Sequence, residues 1–151
     1  MKAGDIMHQD VKRVPGDATF AEAARAMGMG RVSSSVTVVE NDRPIGIVTE
    51  RDMVRLVADG LDPSTTRVGG RMTTDLATVD RHTDLAEAAR IMGERRIRHL
   101  PVVDNGRLVG IVSMRDLIAW ALEELTGGHE LADFQGGSAA LAAAVESERP
   151  A

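Results

Sequence analysis

The sequence contains no cysteine, no tyrosine, one tryptophan and two phenylalanines among its 151 residues. Without cysteine, the chain can form no disulfide bond, no thiolate nucleophile and no cysteine-ligated zinc site. This absence is consistent with a reducing cytoplasm, which is the compartment that we expect for the protein. Because aromatic residues make up only 2% of the chain, its core must be built from Val, Ile, Leu, Met and Ala, and the 43% of apolar residues are enough for one.

Long apolar runs and an excess of positive charge are also missing. No run approaches the roughly 20 apolar residues of a membrane-spanning helix, and the first residues lack the apolar stretch of a signal peptide. The formal net charge of −5 disfavours general attraction to nucleic acid or anionic lipid. We therefore expect neither nucleic acid nor membrane as a partner, and an anionic ligand would need a local group of cations.

The most informative feature that is present is an internal repeat. Gly-Ile-Val-Thr-Glu-Arg-Asp at 46–52 returns as Gly-Ile-Val-Ser-Met-Arg-Asp at 110–116. A shift of about 65 residues also aligns 7–28 with 72–93. A period of this length that occurs twice indicates a duplicated domain rather than a solenoid. The predicted organisation is a first repeat over 1–60, a connector over 61–71, a second repeat over 72–126 and a flexible tail over 127–151.

Each copy predicts a strand, a helix, a β-hairpin and a second helix. A capping box is predicted at the start of each first helix, from Thr19 with Glu22 and from Asp84 with Glu87. Apolar residues that recur at helical spacing are predicted to face the core. These core residues are Phe20, Ala23, Ala24 and Met27 in the first copy, and Leu85, Ala88, Ala89 and Met92 in the second.

The predicted strands are short and are separated by turn residues. The first strands are expected at 11–14 and 76–79, and hairpin turns at 41–44 and 104–107, where Asn-Gly is the stronger turn signal. The second helices are predicted to run from Arg51 to Gly60 and from Arg115 to about Leu125.

Each copy ends its repeated segment with a hydroxyl, an arginine and an aspartate at a helix start. Thr49 and Asp52, or Ser113 and Asp116, can form a helix cap that serves only the fold. Three features favour a ligand instead: the arginine between them, the preceding glycine that allows close approach, and helix N–H groups that attract anions. A carboxylate can accept hydrogen bonds from both ribose hydroxyls, and the arginine can contact a phosphate. Both alternatives remain open from the sequence.

These motifs resemble the cystathionine-β-synthase (CBS) domain family. The resemblance is carried by Gly-Ile-Val-Thr-x-x-Asp, Gly-Ile-Val-Ser-x-x-Asp and the run Ile97-Arg98-His99-Leu100-Pro101-Val102-Val103, and it extends from Met7 to about Leu125 as two tandem copies. It implies an α+β fold in which two β-α-β-β-α repeats pack about a pseudo-twofold axis, with sheets in the core and helices outside. It also implies a regulatory module, not an enzyme, that takes AMP, ADP, ATP or S-adenosylmethionine as a regulatory ligand and needs no other cofactor.

The resemblance further implies two clefts between the copies. The first would be lined by Thr49, Arg51, Asp52, Leu76, Ala77, Ile97, Arg98, His99 and Leu100. The second would be lined by Ser113, Arg115, Asp116, Val11, Lys12, Ser34 and Ser35. The first cleft collects more positive charge, so we expect the ligand there. In the first copy Val36-Thr37 replaces the Leu-Pro of the second, which alters the shape expected for the second cleft.

The expected function is that of a stand-alone sensor that reports an adenosyl ligand to an unidentified effector protein in trans. The family resemblance implies a homodimer formed through the helices. Apolar residues suited to that contact are Met53, Val54, Leu56, Val57, Leu117, Ile118, Trp120 and Ala121. Two alternatives belong to other classes. One is a ligand-free assembly module, and the other is an enzyme acting on nucleotides, for which the sequence offers no metal-binding spacing, activated nucleophile or acid–base pair.

Overall fold

The computed structural model describes residues 1–28 and 35–126. The predicted tail at 127–151 and Ser34 therefore lie outside the described residues. The chain divides into two units, Met1–Met114 and Arg115–Ala151. The elements are α1 (Ala3–Ile6), β1 (Arg13–Pro15), α2 (Phe20–Gly28), β2 (Ser35–Glu40), β3 (Arg43–Thr49), α3 (Glu50–Ala58), a 3₁₀ turn (Val68–Gly70), β4 (Val79–Asp80), α4 (Leu85–Arg95), β5 (His99–Asp104), β6 (Arg107–Ser113) and α5 (Met114–Thr126).

Two three-stranded sheets with the same topology form the centre of the first unit. In each sheet the first strand runs parallel to the second, and the second pairs antiparallel with the third. The first strands begin later than predicted, at Arg13 and Val79. Both hairpins have an irregular register at the same place, between Val38 and Val39 and between Val102 and Val103. The sheets and their helices confirm the predicted α+β class.

The two hairpin turns are confirmed, and each is tighter than predicted. Asn41 and Asp42 have φ angles of 49° and 63°, and Asn105 and Gly106 have φ angles of 50° and 77°. Two consecutive residues with positive φ make the tight turn that matches the twist of antiparallel strands. The strands therefore begin directly after these pairs, at Arg43 and Arg107.

One predicted capping box forms and the other does not. The Thr19 N–H donates to Glu22 Oε2 at 2.7 Å, and the Glu22 N–H donates to Thr19 Oγ1 at 3.2 Å. Asp84 does stand at the N-cap of α4. Both carboxylate oxygens of Glu87, however, accept hydrogen bonds from Arg90, at 2.6 and 2.8 Å. Glu87 is thereby drawn away from the helix start.

The predicted core stripes are confirmed except at two residues, one in each repeat. Phe20, Ala23 and Met27 are buried in the first repeat, and their counterparts Leu85, Ala88 and Met92 are buried in the second. Ala24 is exposed and Ala89 is only half-buried. The core stripe is therefore narrower than the sequence pattern indicated. It packs on Val36, Val38 and Val48 of the first sheet, all fully buried.

The segments that precede β1 and β4 each pack on the opposite repeat; we call 1–8 and 66–73 the lead segments. His8 and Ile111 exchange two backbone hydrogen bonds, at 2.9 and 3.0 Å. Thr73 and Ile47 exchange the equivalent pair, at 3.0 and 3.1 Å. The first lead segment thus extends the sheet of the second repeat, and the second lead segment extends that of the first.

Near their beginnings, the lead segments also contact the opposite repeat. The Ala3 N–H donates to the Thr83 carbonyl, and the Val68 N–H donates to the Ala18 carbonyl, both at 2.8 Å. Ala3 and Val68 are fully buried. Each contact has a counterpart at the repeat shift, which is what a pseudo-twofold relation requires. Part of the predicted connector at 61–71 therefore belongs to the second lead segment.

The glycine that opens each repeated motif lies beneath a methionine of the opposite lead segment. A β-carbon at Gly46 would overlap the sulfur of Met72, and one at Gly110 would overlap the sulfur of Met7. From the sequence, these glycines were expected to allow close approach of a ligand. The group that approaches them is instead a side chain of the protein, so the glycines serve the contact between repeats.

The apolar residues on the second helices are divided between core and surface. Leu56 and Leu117 are buried, whereas Val54 is 68% exposed, Val57 72% and Ile118 55%. Both helices begin one residue earlier than predicted, at Glu50 and Met114. Within the part of the chain that the structure describes, no helix has the length and hydropathy needed to cross a bilayer.

Candidate functional site

A cleft of about 450 Å³ lies where segments of the two repeats meet in the first unit. The end of β3 and the first turn of α3 form one wall. The segment before β4, the end of α4 and the start of β5 form the other. Eight of the nine residues predicted for the first cleft line it: Thr49, Arg51, Asp52, Leu76, Ala77, Ile97, Arg98 and His99.

The ninth predicted residue, Leu100, does not line the cleft. Its side chain is fully buried in the core. Successive side chains of a strand point to opposite faces, and the neighbouring His99 of β5 lines the cleft. Alternation along the strand therefore explains why Leu100 turns inward.

The threonine and aspartate of the first motif form a helix cap. The Thr49 N–H donates to Asp52 Oδ2 at 2.8 Å, and the Thr49 hydroxyl donates to the same oxygen at 3.1 Å. The other oxygen, Oδ1, lies 3.9 Å from a guanidinium nitrogen of Arg55. The Asp52 side chain is 12% exposed and lies on the cleft wall. The cap therefore occupies mainly one carboxylate oxygen, and the carboxylate borders the cleft at the same time.

The cleft carries a local excess of positive charge on an acidic protein. Five arginines line it together with two aspartates, Asp52 and Asp75. Arg95 pairs with Asp75 at 3.1 Å, and Arg55 has the longer contact with Asp52. The other three arginines, Arg51, Arg96 and Arg98, have no ion pair within residues 1–28 and 35–126. The cleft therefore provides the local group of cations that an anionic ligand requires.

Six further residues line the cleft that were not predicted for it: Ile47, Arg55, Thr73, Asp75, Arg95 and Arg96. For Arg55 a signal was available, because it follows Arg51 by four residues on the same helix and must lie on the same face. For Arg96 there was none, since its place depends on a left-handed backbone conformation, with φ 53° and ψ 41°, at the end of α4.

A smaller hollow of about 270 Å³ adjoins the cleft. Asp52 and Arg55 line both, and Phe20, Gly70 and Arg71 complete the hollow. The Arg71 guanidinium pairs with Asp59. The hollow is therefore separated from the cleft by the Asp52 and Arg55 side chains, on the side of the 3₁₀ turn.

The residues predicted for the second cleft have varied surroundings. Val11 and Ser35 are buried. The Lys12 ammonium pairs with Asp10 at 3.0 Å. Ser113 ends β6, where it is the register partner of His99. Arg115 and Asp116 belong to the first turn of α5 in the other unit. Binding at a second cleft stays a prediction.

Metal ligation has no support in the described ranges. No group of three or more His, Cys, Asp or Glu side chains within residues 1–28 and 35–126 has an arrangement that could hold a metal ion.

Known proteins share both the sequence pattern and the fold. A protein of Methanopyrus kandleri is 37% identical over 120 residues, which cover 78% of this chain and 61% of that protein. The CBS domain-containing protein YhcV of Bacillus subtilis is 34% identical over 131 residues, 86% of this chain and 92% of that protein. The structure of a CBS domain protein from Pyrobaculum aerophilum complexed with AMP superposes with a TM-score of 0.72. It is 30% identical and covers 77% of this chain and 89% of that one.

The family model of the CBS domain matches the chain twice, over residues 3–59 and 67–123. Each match begins inside a lead segment; the first ends one residue after α3 and the second ends within α5. The chain therefore belongs to the CBS domain family, as a tandem pair of CBS domains.

Proposed function

We propose that this CBS pair is a regulatory module that binds an adenosyl ligand of the AMP, ADP or ATP class in the cleft between its repeats. The observation that carries the proposal is the cleft itself, which combines a carboxylate, apolar walls and three arginines without an ion pair to any residue that the structure describes. Its volume of about 450 Å³ falls within the range of roughly 300–1,000 Å³ that is common for small-molecule sites.

Each part of the ligand has a chemical counterpart in the cleft. The Asp52 carboxylate can accept hydrogen bonds from ribose hydroxyls through Oδ1 while Oδ2 caps the helix. Ile47, Leu76 and Ile97 offer apolar surface for the base. The arginines can donate charge-assisted hydrogen bonds to phosphate. The AMP complex of the Pyrobaculum aerophilum relative supports an adenine nucleotide as the ligand class.

The effect of ligand binding would be transmitted to a partner protein through α3. The cleft is lined by residues of both repeats, so a ligand would link them directly. Asp52 and Arg55 stand on α3, whose opposite surface carries the exposed Val54 and Val57. We propose that this apolar surface serves a homodimer or a separate effector protein, and that the ligand acts by changing how the helix is held. The lack of cysteine supports a cytoplasmic setting.

The alternative is a ligand-free assembly module. It is favoured by the Thr49–Asp52 cap, which gives the motif a complete structural role without any ligand. It is also consistent with the exposed valines of α3.

Thermal stability separates these two functions. A ligand present at about a thousand times its dissociation constant stabilises the folded state by roughly 4 kcal/mol, which corresponds to a rise in Tm of roughly 8–16 °C for a domain of this size. We expect such a rise with at least one of AMP, ADP, ATP and S-adenosylmethionine. If none of them changes Tm at millimolar concentration, the protein is the assembly module.

Asp52→Ala tests the role of the carboxylate. Loss of a hydrogen bond to the ribose should weaken nucleotide binding by about 1–3 kcal/mol, measured by calorimetry. Because the variant also loses its cap, its stability should fall by about 0.5–2 kcal/mol. Glu22→Ala is the matched control, since Glu22 makes the same capping contact on α2 outside the cleft. The control should lose stability and keep its affinity; equal affinities in both variants would contradict the assignment.

A further inference from the structure

The cleft holds more positive charge than one phosphate group can neutralise. Arg51, Arg96 and Arg98 line it without an ion pair to any described residue, and Arg55 has only its 3.9 Å contact with Asp52. A phosphate monoester carries a charge of about −1.5 to −2 near neutral pH. A diphosphate or triphosphate adds negative charge that could meet the remaining guanidinium groups. Charge balance therefore favours a ligand with a longer phosphate chain.

Arg96 occupies a backbone conformation that arginine does not favour. It follows the last turn of α4 with φ 53° and ψ 41°. The Ile97 N–H donates to the Met92 carbonyl at 3.0 Å, which is the hydrogen bond of a helix end that ordinarily uses glycine at this position. Of the four non-glycine residues with positive φ in the described ranges, Arg96 alone is neither Asn nor Asp, and such an outlier motivates a role for its side chain beyond the fold. Arg96 lines the cleft, so that role can be contact with the ligand.

The cleft also has room beyond one phosphate group. The adjoining hollow of about 270 Å³ shares Asp52 and Arg55 with it. Arg55 therefore borders both spaces, and a longer phosphate chain that reached its guanidinium group would lie beside the hollow.

From the unpaired arginines, the unusual backbone of Arg96 and the adjoining space, we propose that the cleft selects adenine nucleotides with two or three phosphates over the monophosphate. Arg96 is the residue that sets this preference. The inference rests on the proposed function, because it assumes that an adenine nucleotide binds in this cleft.

Calorimetric titration of the full chain with AMP, ADP and ATP tests the preference. The buffer should contain EDTA, because divalent cations would mask phosphate charge, and should have an ionic strength of about 0.1 M. The Kd for ATP should be at least about tenfold lower than that for AMP, with ADP between them. Because exposed charges are screened by salt, the difference should shrink at about 0.5 M salt. An AMP affinity equal to or above that of ATP overturns the inference.

Substitution of Arg96 tests its role. Arg96→Gln should raise the Kd for ATP about tenfold through loss of a charge-assisted contact, and the Kd for AMP by less than about twofold. Arg96→Gly should weaken ATP binding equally while raising Tm of the ligand-free protein by about 2–4 °C, since glycine suits the conformation. The matched control is Arg107→Gln, an exposed arginine outside the cleft, which should change neither Kd.

The outcomes separate this inference from the proposed function. If the parent protein binds none of the three nucleotides, the proposed function fails. If it binds all three equally and Arg96→Gln changes none of the affinities, only the preference for polyphosphates fails. If Arg96→Gln weakens AMP and ATP binding by the same factor, Arg96 supports the site in general and does not select by phosphate number.

Discussion

At the scale of single residues, Thr37 breaks the pattern of the sheet core. It lies in β2 at the position that Pro101 occupies in the second repeat. Its side chain is fully buried, and the hydroxyl oxygen has no hydrogen-bond partner among residues 1–28 and 35–126. A buried polar group without a partner destabilises the folded state, because it has lost its bonds to water.

We expect Thr37→Val to increase the free energy of unfolding by about 1–2 kcal/mol, since valine has the same shape and leaves no unpaired hydroxyl. Urea denaturation would measure the change. Thr66→Val is the control, because the Thr66 hydroxyl donates to the Asp62 carbonyl at 2.8 Å. That variant should lose stability, and a loss of stability in Thr37→Val as well would show that its hydroxyl is satisfied.

Some residues of the cleft could be predicted from the sequence, and others could not. Thr49, Asp52 and Arg98 could be assigned to one cleft because the repeated motif and the family resemblance carry position as well as residue type. Arg96 could not, since no local sequence signal predicts an arginine in a left-handed conformation. Asp75 was equally hidden, because its place depends on the path of an irregular segment before β4.

Gly46 tests the packing of one residue against the other repeat. Gly46→Ala would force its β-carbon against Met72 and the Thr73 carbonyl, and overpacking of this kind costs about 1–3 kcal/mol. A decrease in Tm would report it. Gly93→Ala is the comparison, because nothing lies within 4 Å of the added carbon and alanine favours the helix. Gly93→Ala should not lower Tm, and a neutral Gly46→Ala would show that Met72 moves aside.

At the scale of elements, the acidic residues at helix starts form different contacts in equivalent places. The hydrogen bond from the Thr19 N–H lowers the pKa of Glu22, with a further contribution from the Thr19 hydroxyl. On α4, the hydrogen bond from Lys2 lowers the pKa of Asp84, and that from Arg90 lowers the pKa of Glu87. The sequence predicted both boxes because Thr19 and Asp84 share their spacing to a glutamate. An arginine follows the glutamate by three residues in both repeats, as Arg25 and Arg90, so the arginine alone does not decide which box forms. The residue at the helix start differs: Thr19 offers a hydroxyl to Glu22, whereas Asp84 is a carboxylate that accepts a hydrogen bond from Lys2.

The lowered pKa of Glu22 predicts how acid affects α2. A carboxyl group with a folded pKa below its unfolded value contributes stability above the unfolded value, here 4.5, and loses that contribution as the pH falls through the folded pKa. Thermal melts between pH 7 and pH 3 should therefore show the parent above Glu22→Ala at neutral pH and the two converging in acid. A constant difference across this range would contradict the assignment.

The hairpins could be predicted from sequence more fully than the first strands. Asn-Asp and Asn-Gly prefer the positive φ angles that a two-residue turn needs, so local chemistry was sufficient. The strands β1 and β4 are only three and two residues long. Their limits depend on pairing with β2 and β5 across the chain, which no local signal fixes.

At the scale of the whole molecule, the exchange of lead segments is what the sequence could not show. In the sequence, residues 1–8 were assigned to the first repeat without a partner in the second, and 61–71 were assigned to a connector. Yet the backbone contacts of His8 with Ile111 and of Thr73 with Ile47 join residues that are far apart in the chain. Periodicity and capping patterns report on local structure only, so the sequence does not reveal these long-range pairings. The duplication itself was readable, because it preserves residues in order.

The exchange of lead segments also bears on how such a chain could arise. In a polypeptide with only one repeat, the lead-segment methionine would have no glycine of another repeat to pack on. The glycine of its motif would likewise lack a methionine above it. A second identical molecule could satisfy both at once, so we expect the unduplicated precursor to have been an obligate pair of separate chains. Fusing the two genes would then have freed that association from its dependence on protein concentration.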